Sequence, residues 1–403
     1  MPARRLESAV PVGLLVLVVL AVGVLGWLAG WRLGADSAVY RAGALTFLHG
    51  DPLYDPQRLG ALPSWVALPF TYPPAAALLF VPLAAMPAGL VWGAVSAASV
   101  LSLAVVIRVC ARPRALAVTG LTVCALALEP VWKTLFLGQI NLILLALVIV
   151  DVLVLGGSHG TDGVARSASV AGGGGRRVGG LLTGVAAAVK LTPLIFVAHL
   201  FVTGRARDGF RALGTFFALQ ALMFTLAPSD AIRYWTEAAF DPKRVGGVHW
   251  IFNQSLNGLV SRATEDAPWA MAVALLIGAA LAVPAVWLVR RLHRRGETLA
   301  ALLVTAFLGL LVSPVSWSHH WVWAVPLIAL LAVRGWWLWA AAVAALFVSC
   351  VVMLVPNGGA TEFGWGPGRS VLGNAYVLAA ALGILGMTAR ELRRTRQRES
   401  SVL

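Results

Sequence analysis

Apolar residues run continuously along this chain for about 20 positions at a time, separated by short polar stretches, from one end to the other. Each run is long enough to cross a bilayer core of roughly 30 Å as a helix. Backbone groups in lipid must be bonded internally, which leaves helices or a closed barrel. The runs are rich in Leu, Ala and Val and do not alternate, so helices are expected. Spans are predicted near 9–31, 73–87, 88–109, 115–131, 136–156, 179–203, 209–227, 268–290, 297–314, 318–333, 336–355 and 372–390. The first run is too long for the core of a signal peptide and lacks an obvious cleavage site, so it is expected to stay as the first span.

The fold class that follows is an all-α polytopic integral membrane protein with about 12 transmembrane helices, forming a single domain over residues 1–403. Longer loops on the outer side are expected at 32–72, 228–267 and 356–371, with a basic tail at 391–403. The Gly/Ser/Arg stretch 157–178 reads as a low-complexity connector. Strict alternation of the spans puts Arg108, Arg112, Arg114, Arg176 and Arg177 on the outer side, against the charge rule. The alternative is a hairpin of half-helices in 179–203 with its apex at Lys190-Leu191-Thr192-Pro193, and one crossing for 73–109. Pro193 disfavours helical geometry at Thr192, which makes such a break reasonable.

Composition agrees with a membrane protein. Hydrophobic residues make up 59% and charged residues 12%, against about 25% charged in soluble domains. The net charge of +14 does not point to nucleic acid, because no soluble basic domain is present to bind it. Arg4 and Arg5 precede the first span, Arg290, Arg291, Arg294 and Arg295 fill one short loop, and Arg390, Arg393, Arg394, Arg396 and Arg398 follow the last. Short Arg-rich segments beside apolar spans mark the cytoplasmic side, so both termini are expected there. Cys110, Cys124 and Cys350 lie in apolar runs without metal-ligand spacing and read as small buried hydrophobes.

Polar residues able to do chemistry are few. Asp36 stands where the first span ends, placed to act as a general base or simply as an interfacial acid. Gly50-Asp51-Pro52 is turn chemistry, and Pro73-Pro74 suits the first turn of a helix. Gly138-Gln139-Ile140-Asn141 opens a span with two amides, behind Glu129 and Lys133. Lys190 in an apolar segment costs on the order of 2.5–3.5 kcal/mol, so it either lines a site or snorkels or pairs. The Asn253-Gln254-Ser255-Leu256-Asn257-Gly258 stretch closes the second outer loop. His319 and His320, flanked by Trp317 and Trp321, are a weak metal signal and suit hydrogen bonding to a phosphate or sugar hydroxyl better. Each tryptophan fits either sugar stacking or the interfacial aromatic belt.

Asp36 with Val39-Tyr40, Gly50-Asp51-Pro52-Leu53-Tyr54, Phe70-Thr71-Tyr72-Pro73-Pro74, Gly138-Gln139-Ile140-Asn141, Ala188-Val189-Lys190-Leu191-Thr192-Pro193, Asn253-Gln254-Ser255-Leu256-Asn257-Gly258 and Ser316-Trp317-Ser318-His319-His320-Trp321 occur in that order. Together they resemble the actinobacterial polyprenol-phosphate-mannose-dependent α-1,2-mannosyltransferases, glycosyltransferase family 87 with a GT-C fold. The resemblance runs from about residue 30 to 325. It implies short interfacial helices in the first outer loop and an active site on the extracytoplasmic face of the plasma membrane. It also implies a polyprenyl-phosphate sugar donor and a mannosyl glycolipid acceptor. Asp36 matches the catalytic base. Candidates for the donor phosphate are His319, His320, Lys190 and Arg41. Candidates for the sugars are Tyr40, Tyr72, Gln139, Asn141, Asn253, Gln254, Asn257 and Trp317. No metal or other cofactor is expected, because Asp36 and Asp51 do not form an Asp-x-Asp motif. A transporter of lipid-linked sugar, or an enzyme that moves arabinofuranose or glucose, are the alternatives. Oligomeric state is not encoded in any motif.

Overall fold

A computed structural model of the chain describes residues 2–54, 59–156 and 178–400. Asp55, Arg58, Arg176, Arg177 and nearly all of the 157–178 connector lie outside the described residues, as do the side chains of Arg4, Arg5, Arg396 and Arg398. Helices account for the regular structure. Among the described residues there is no strand, only an isolated antiparallel bridge between Asn253 and Trp317.

The chain divides into two compact units. Among the described residues, the first comprises those up to Gly156, those from 178 to Val197, and Arg207–Gly246. It contains α1 (Pro2–Leu28), α2 (Ala35–His49), α3 (Pro74–Leu79), α4 (Val81–Ala84), α5 (Ala88–Ala111), α6 (Ala115–Ala125), α7 (Glu129–Leu137) and α8 (Asn141–Val150). A π-helical turn, Asp151–Leu155, extends α8. Next come α9 (Leu181–Val189), α10 (Leu194–Val202), whose last turn falls to the second unit, α11 (Ala206–Leu226) and α12 (Pro228–Thr236). Helix α1 lies against α5 at its glycines: a Cβ on Gly23 would come within 2.6 Å of the Gly93 Cα. Small residues at a helix crossing are how apolar helices approach closely where lipid offers no hydrophobic drive.

Among the described residues, the second unit comprises Ala198–Ala206 and the chain from Gly247 onward. Its helices are α13 (Leu256–Ala263), α14 (Ala270–Arg294), α15 (Thr298–Val312), α16 (Ala324–Val333), α17 (Trp337–Val348), α18 (Val351–Leu354), α19 (Pro367–Gly373) and α20 (Ala375–Ser400). Helix α14 packs along α15, α13 and α20, and α16 packs against α17.

Among the described residues, six helical segments are long and apolar enough to cross a membrane: Pro11–Leu28, Ala88–Ala111, Ala206–Leu226, Ala270–Arg294, Trp337–Leu354 and Ala375–Thr395. A seventh would be the pair Leu116–Ala125 and Glu129–Leu137, which is bent by 83°. The structure therefore falls short of twelve straight spans, for local reasons. Proline lacks an N–H and cannot continue a helix ladder: Pro82 stands where α3 gives way to α4, and Pro130 where α6 gives way to α7. Other apolar segments (Asn141–Leu155, Thr298–Val312, Ser318–Val333) form helices of 10–17 residues. At 1.5 Å per residue, fifteen residues reach only about 22 Å. The segment 179–203 breaks where the sequence allows it, with Lys190 extended at φ −147°, ψ 131° between α9 and α10.

Candidate active site

Two glycines set the geometry of the first unit's polar cluster. Gly34 precedes α2 with φ 77°, and Gly138 follows α7 with φ 66°, both in the left-handed region that favours glycine. The Gly34 N–H donates to the Phe136 carbonyl at 3.1 Å. A Cβ on Gly138 would lie 2.5 Å from the Ser37 Oγ and 3.2 Å from the Gly34 Cα. The first turn of α2 therefore rests directly on the junction of α7 and α8, which sets Asp36 beside Gln139. A carboxylate in a first helical turn also complements the helix dipole.

The Gln139 carboxamide is fixed from its oxygen side. Its Oε1 accepts from the Tyr40 hydroxyl at 3.0 Å and from the Tyr72 hydroxyl at 3.3 Å. Those two hydroxyls lie 3.0 Å apart, and the Ile140 N–H donates to the Tyr40 oxygen at 3.3 Å. With Oε1 taken up by two hydroxyls, the amide's NH₂ is the group left to donate to the Asp36 carboxyl, and Gln139 does hydrogen-bond Asp36. The tyrosines are held in turn. Tyr40 stacks on Phe80 at 4.5 Å and meets Tyr72 edge-on at 5.2 Å.

Lys190 closes α9, its N–H bonded to the Ala186 carbonyl at 3.0 Å; it donates from Nζ to the Asn141 Oδ1 at 3.1 Å and acts electrostatically on Asp36. Asp36 and Lys190 lie outside the six long apolar segments and keep partial exposure, while Tyr40, Tyr72, Gln139 and Asn141 are buried. Burial pushes the Asp36 carboxyl up to about 7, against the Lys190 charge and the Gln139 hydrogen bond, which favour its ionised form. Burial likewise pushes Lys190 down to about 8, opposed by Asp36. A carboxyl poised near neutrality, partly accessible and held on one side by an amide, can accept a proton. The ammonium beside it can stabilise negative charge that develops nearby.

Arg41 belongs elsewhere on α2. Its Nε donates to the Met86 carbonyl at 2.6 Å, and five residues on from Asp36 it faces another side of the helix. Two residues not singled out from sequence, Arg244 and Asp230, join Tyr54 in bracing the loop that carries Tyr72. Tyr54 donates to the Tyr72 carbonyl at 2.7 Å, and Arg244 donates to the Tyr54 and Phe70 carbonyls at 3.3 and 3.1 Å. The Leu53 N–H donates to the Asp230 carboxyl at 2.9 Å.

In the second unit the amides of the 253–257 stretch serve the backbone. Asn253 donates to the Val248 carbonyl at 2.9 Å and accepts from the Ser316 N–H at 2.9 Å. Gln254 donates to the Ile251 and Gly373 carbonyls, both at 2.7 Å, and Asn257 to the Pro314 carbonyl at 3.1 Å. Ser255 caps α13 by accepting from the Gly258 N–H at 3.1 Å. These bonds brace the Pro314–His320 segment, where the Ser318 N–H donates to the Phe252 carbonyl at 2.7 Å. Trp317 packs edge-on to Trp250 at 5.8 Å, and the His319 and His320 rings meet edge-on at 4.8 Å, the first buried and the second half-buried. Arg262, absent from the sequence-based candidates, lies buried beneath. It donates to the His249, Trp250 and Asn253 carbonyls, each at 3.1 Å, and to the Asn374 side chain at 2.5 Å. Among the described residues no group of three or more His, Cys, Asp or Glu could hold a metal ion.

Residues 70–314 match glycosyltransferase family 87. The chain is a member of that family. It is 34% identical, over 92% of its own length and 89% of the relative's, to a polyprenol-phosphate-mannose-dependent alpha-(1-2)-phosphatidylinositol mannoside mannosyltransferase of Mycobacterium tuberculosis (strain ATCC 25618 / H37Rv). Its identity to the protein of the same description in Mycolicibacterium smegmatis is 32%, over 89% of this chain and 86% of that one. A polyprenol-phosphate-mannose-dependent alpha-(1-2)-phosphatidylinositol pentamannoside mannosyltransferase of M. tuberculosis (strain CDC 1551 / Oshkosh) is 35% identical, over 81% of this chain and 72% of the relative. No solved structure matches the chain. In this family 87 member the residues named from sequence fall in two groups, one around Asp36 and one around the paired histidines.

Proposed function

We propose that this family 87 member transfers mannose from polyprenyl-phosphate mannose to a mannosyl glycolipid of the phosphatidylinositol mannoside class, forming an α-1,2 linkage with inversion. The likeness to the mycobacterial mannosyltransferases supports the donor and acceptor classes. The observation that carries the mechanism is the Asp36 carboxyl, brought close to neutrality and held by Gln139 and Lys190. In the reaction, Asp36 takes the proton of the acceptor hydroxyl as that oxygen attacks the anomeric carbon of the donor. The bond from that carbon to the phosphate oxygen breaks, and its electron pair leaves with a prenyl phosphomonoester. Inversion needs one base and no covalent intermediate. Lys190 stabilises the growing negative charge, and His319 and His320 are assigned to the phosphate on the family resemblance. A GT-C architecture, an extracytoplasmic active site and cytoplasmic termini complete the reading, the last from the clustered arginines.

The test incubates the purified protein, in lipid nanodiscs, with polyprenyl-phosphate mannose and a mannoside acceptor. Asp36→Asn is expected to lower kcat by about 100-fold or more. Transfer by Asp36→Asn at the wild-type rate would remove the base. Movement of donor across vesicles by wild-type protein, without transfer, would replace the enzyme by a transporter.

A further inference from the structure

One end of the second unit gathers more positive charge than it neutralises. Glu391, buried on α20, binds Arg291 at 3.1 Å and Arg295 at 2.6 Å from the end of α14, and Arg394 at 3.1 Å on its own helix. Glu297, just before α15, binds Arg334 at 2.5 Å. Both carboxylates are thereby used. Arg290, Arg294, Arg390 and Arg393 stand exposed at the same end, and none makes an ion pair among the described residues. An uncompensated excess of this kind repels itself unless anions come to it.

The cluster also has a fixed centre. The Trp336 ring carries the Arg390 guanidinium at 4.8 Å and the Arg334 guanidinium at 5.5 Å. Immediately after it, Trp337, Leu338 and Trp339 begin α17 with 67%, 80% and 65% of their surface exposed. Indoles exposed at the end of apolar helices suit the headgroup level of a bilayer. Orienting a chain in the membrane needs only a count of charges. It does not call for two guanidiniums on one ring at the start of a lipid-facing aromatic run. A free phosphate would account for the arginines but leave that run unexplained.

We infer that this end of the second unit is a binding site for the headgroup of an anionic phospholipid, centred on Trp336 with Arg334 and Arg390, its acyl chains lying along Trp337–Trp339. This goes beyond the transfer reaction and does not depend on Asp36. The experiment titrates the full-length purified protein in detergent with phosphatidylglycerol or phosphatidylcholine and counts bound lipid by native mass spectrometry. Wild-type protein is expected to prefer phosphatidylglycerol by about 50-fold or more. Arg390→Ala should lose about fivefold of that preference, and Arg390→Ala with Arg393→Ala about 25-fold, each exposed arginine near the surface contributing separately. Trp336→Leu should lower the preference while leaving the charge unchanged. The control is Arg114→Ala, an exposed arginine of the first unit, which should bind as wild type. Equal binding of the two lipids, an unchanged Arg390→Ala, or an equal loss in Arg114→Ala would overturn the site. So would competition by soluble glycerol phosphate at the same concentration as the lipid.

Discussion

Removing the Gln139 side chain should move the pH dependence of the reaction as well as its rate. The Asp36 carboxyl is pushed up to about 7 by burial, and Gln139 is one of two groups that favour its charged form. Gln139→Ala withdraws a hydrogen bond to an ionised acceptor, worth about 1.5–3 kcal/mol net. Asp36 is partly exposed, so the lower end applies, about 1.4 kcal/mol or one pH unit. The carboxyl then titrates near 8. The sign follows: a base raised further is protonated over more of the neutral range, and activity is lost as pH falls through its pKa. At pH 6 the ionised fraction drops from about one in ten to about one in a hundred, a tenfold loss of rate. At pH 7.5 it drops from about three-quarters to about one-quarter, so the deficit narrows to roughly threefold. Initial rates at donor and acceptor well below saturation follow kcat/KM and so report the free enzyme; measured below the pH at which Lys190 gives up its own proton near 8, they read this directly. A deficit of equal size at pH 6 and 7.5 would refute the reasoning and leave Gln139 a binding residue. Tyr72→Phe, which takes away one of the hydroxyls that orient the amide, should give a smaller shift in the same direction.

Further substitutions test the frame around the site. Gly23→Leu must push α1 off α5, where the backbones meet at Gly93; overpacking of this kind costs about 1–3 kcal/mol, and an unchanged thermal midpoint would contradict the close approach. Arg262→Leu takes a buried donor from three backbone carbonyls, of which that of Trp250 keeps the Asn253 N–H; this should cost about 2 kcal/mol or more and speed hydrogen exchange at residues 249–253. Wild-type exchange there would show that the segment holds itself. His319→Ala and His320→Ala should raise KM for the lipid-phosphate donor more than KM for the acceptor. Equal changes in both constants would count against a phosphate contact.

The long apolar helices were legible from the sequence because lipid allows few alternatives to a run of Leu, Ala and Val. The break at Lys190–Pro193 was legible too, since proline restricts its predecessor whatever the surroundings. The bends at Pro82 and Pro130 follow the same chemistry but lay inside runs counted as single spans. Asp36, Gln139, Tyr40 and Tyr72 could be named one by one, yet their meeting depends on two left-handed glycines a hundred residues apart, which no local pattern announces. The amides of Asn253, Gln254 and Asn257 were expected to face sugar, and the structure commits them to carbonyls. Whether an amide serves a ligand or a loop is decided by tertiary neighbours. Arg262 carried no sequence signal. Asp151 did carry one, an acid within an apolar run, where such residues are costly enough to need a partner.

That aspartate has a practical use. Its carboxyl accepts from the Gly180 N–H at 2.9 Å, the Leu182 and Thr183 N–H groups at 3.3 Å and the Thr183 hydroxyl at 2.5 Å. It thus ties the end of α8 to the start of α9, on either side of residues 157–177. Two helices fastened at their own ends do not rely on the intervening peptide to find each other. A protease site or an epitope could be spliced in between without altering the register of either helix, and cutting it would leave the two halves joined.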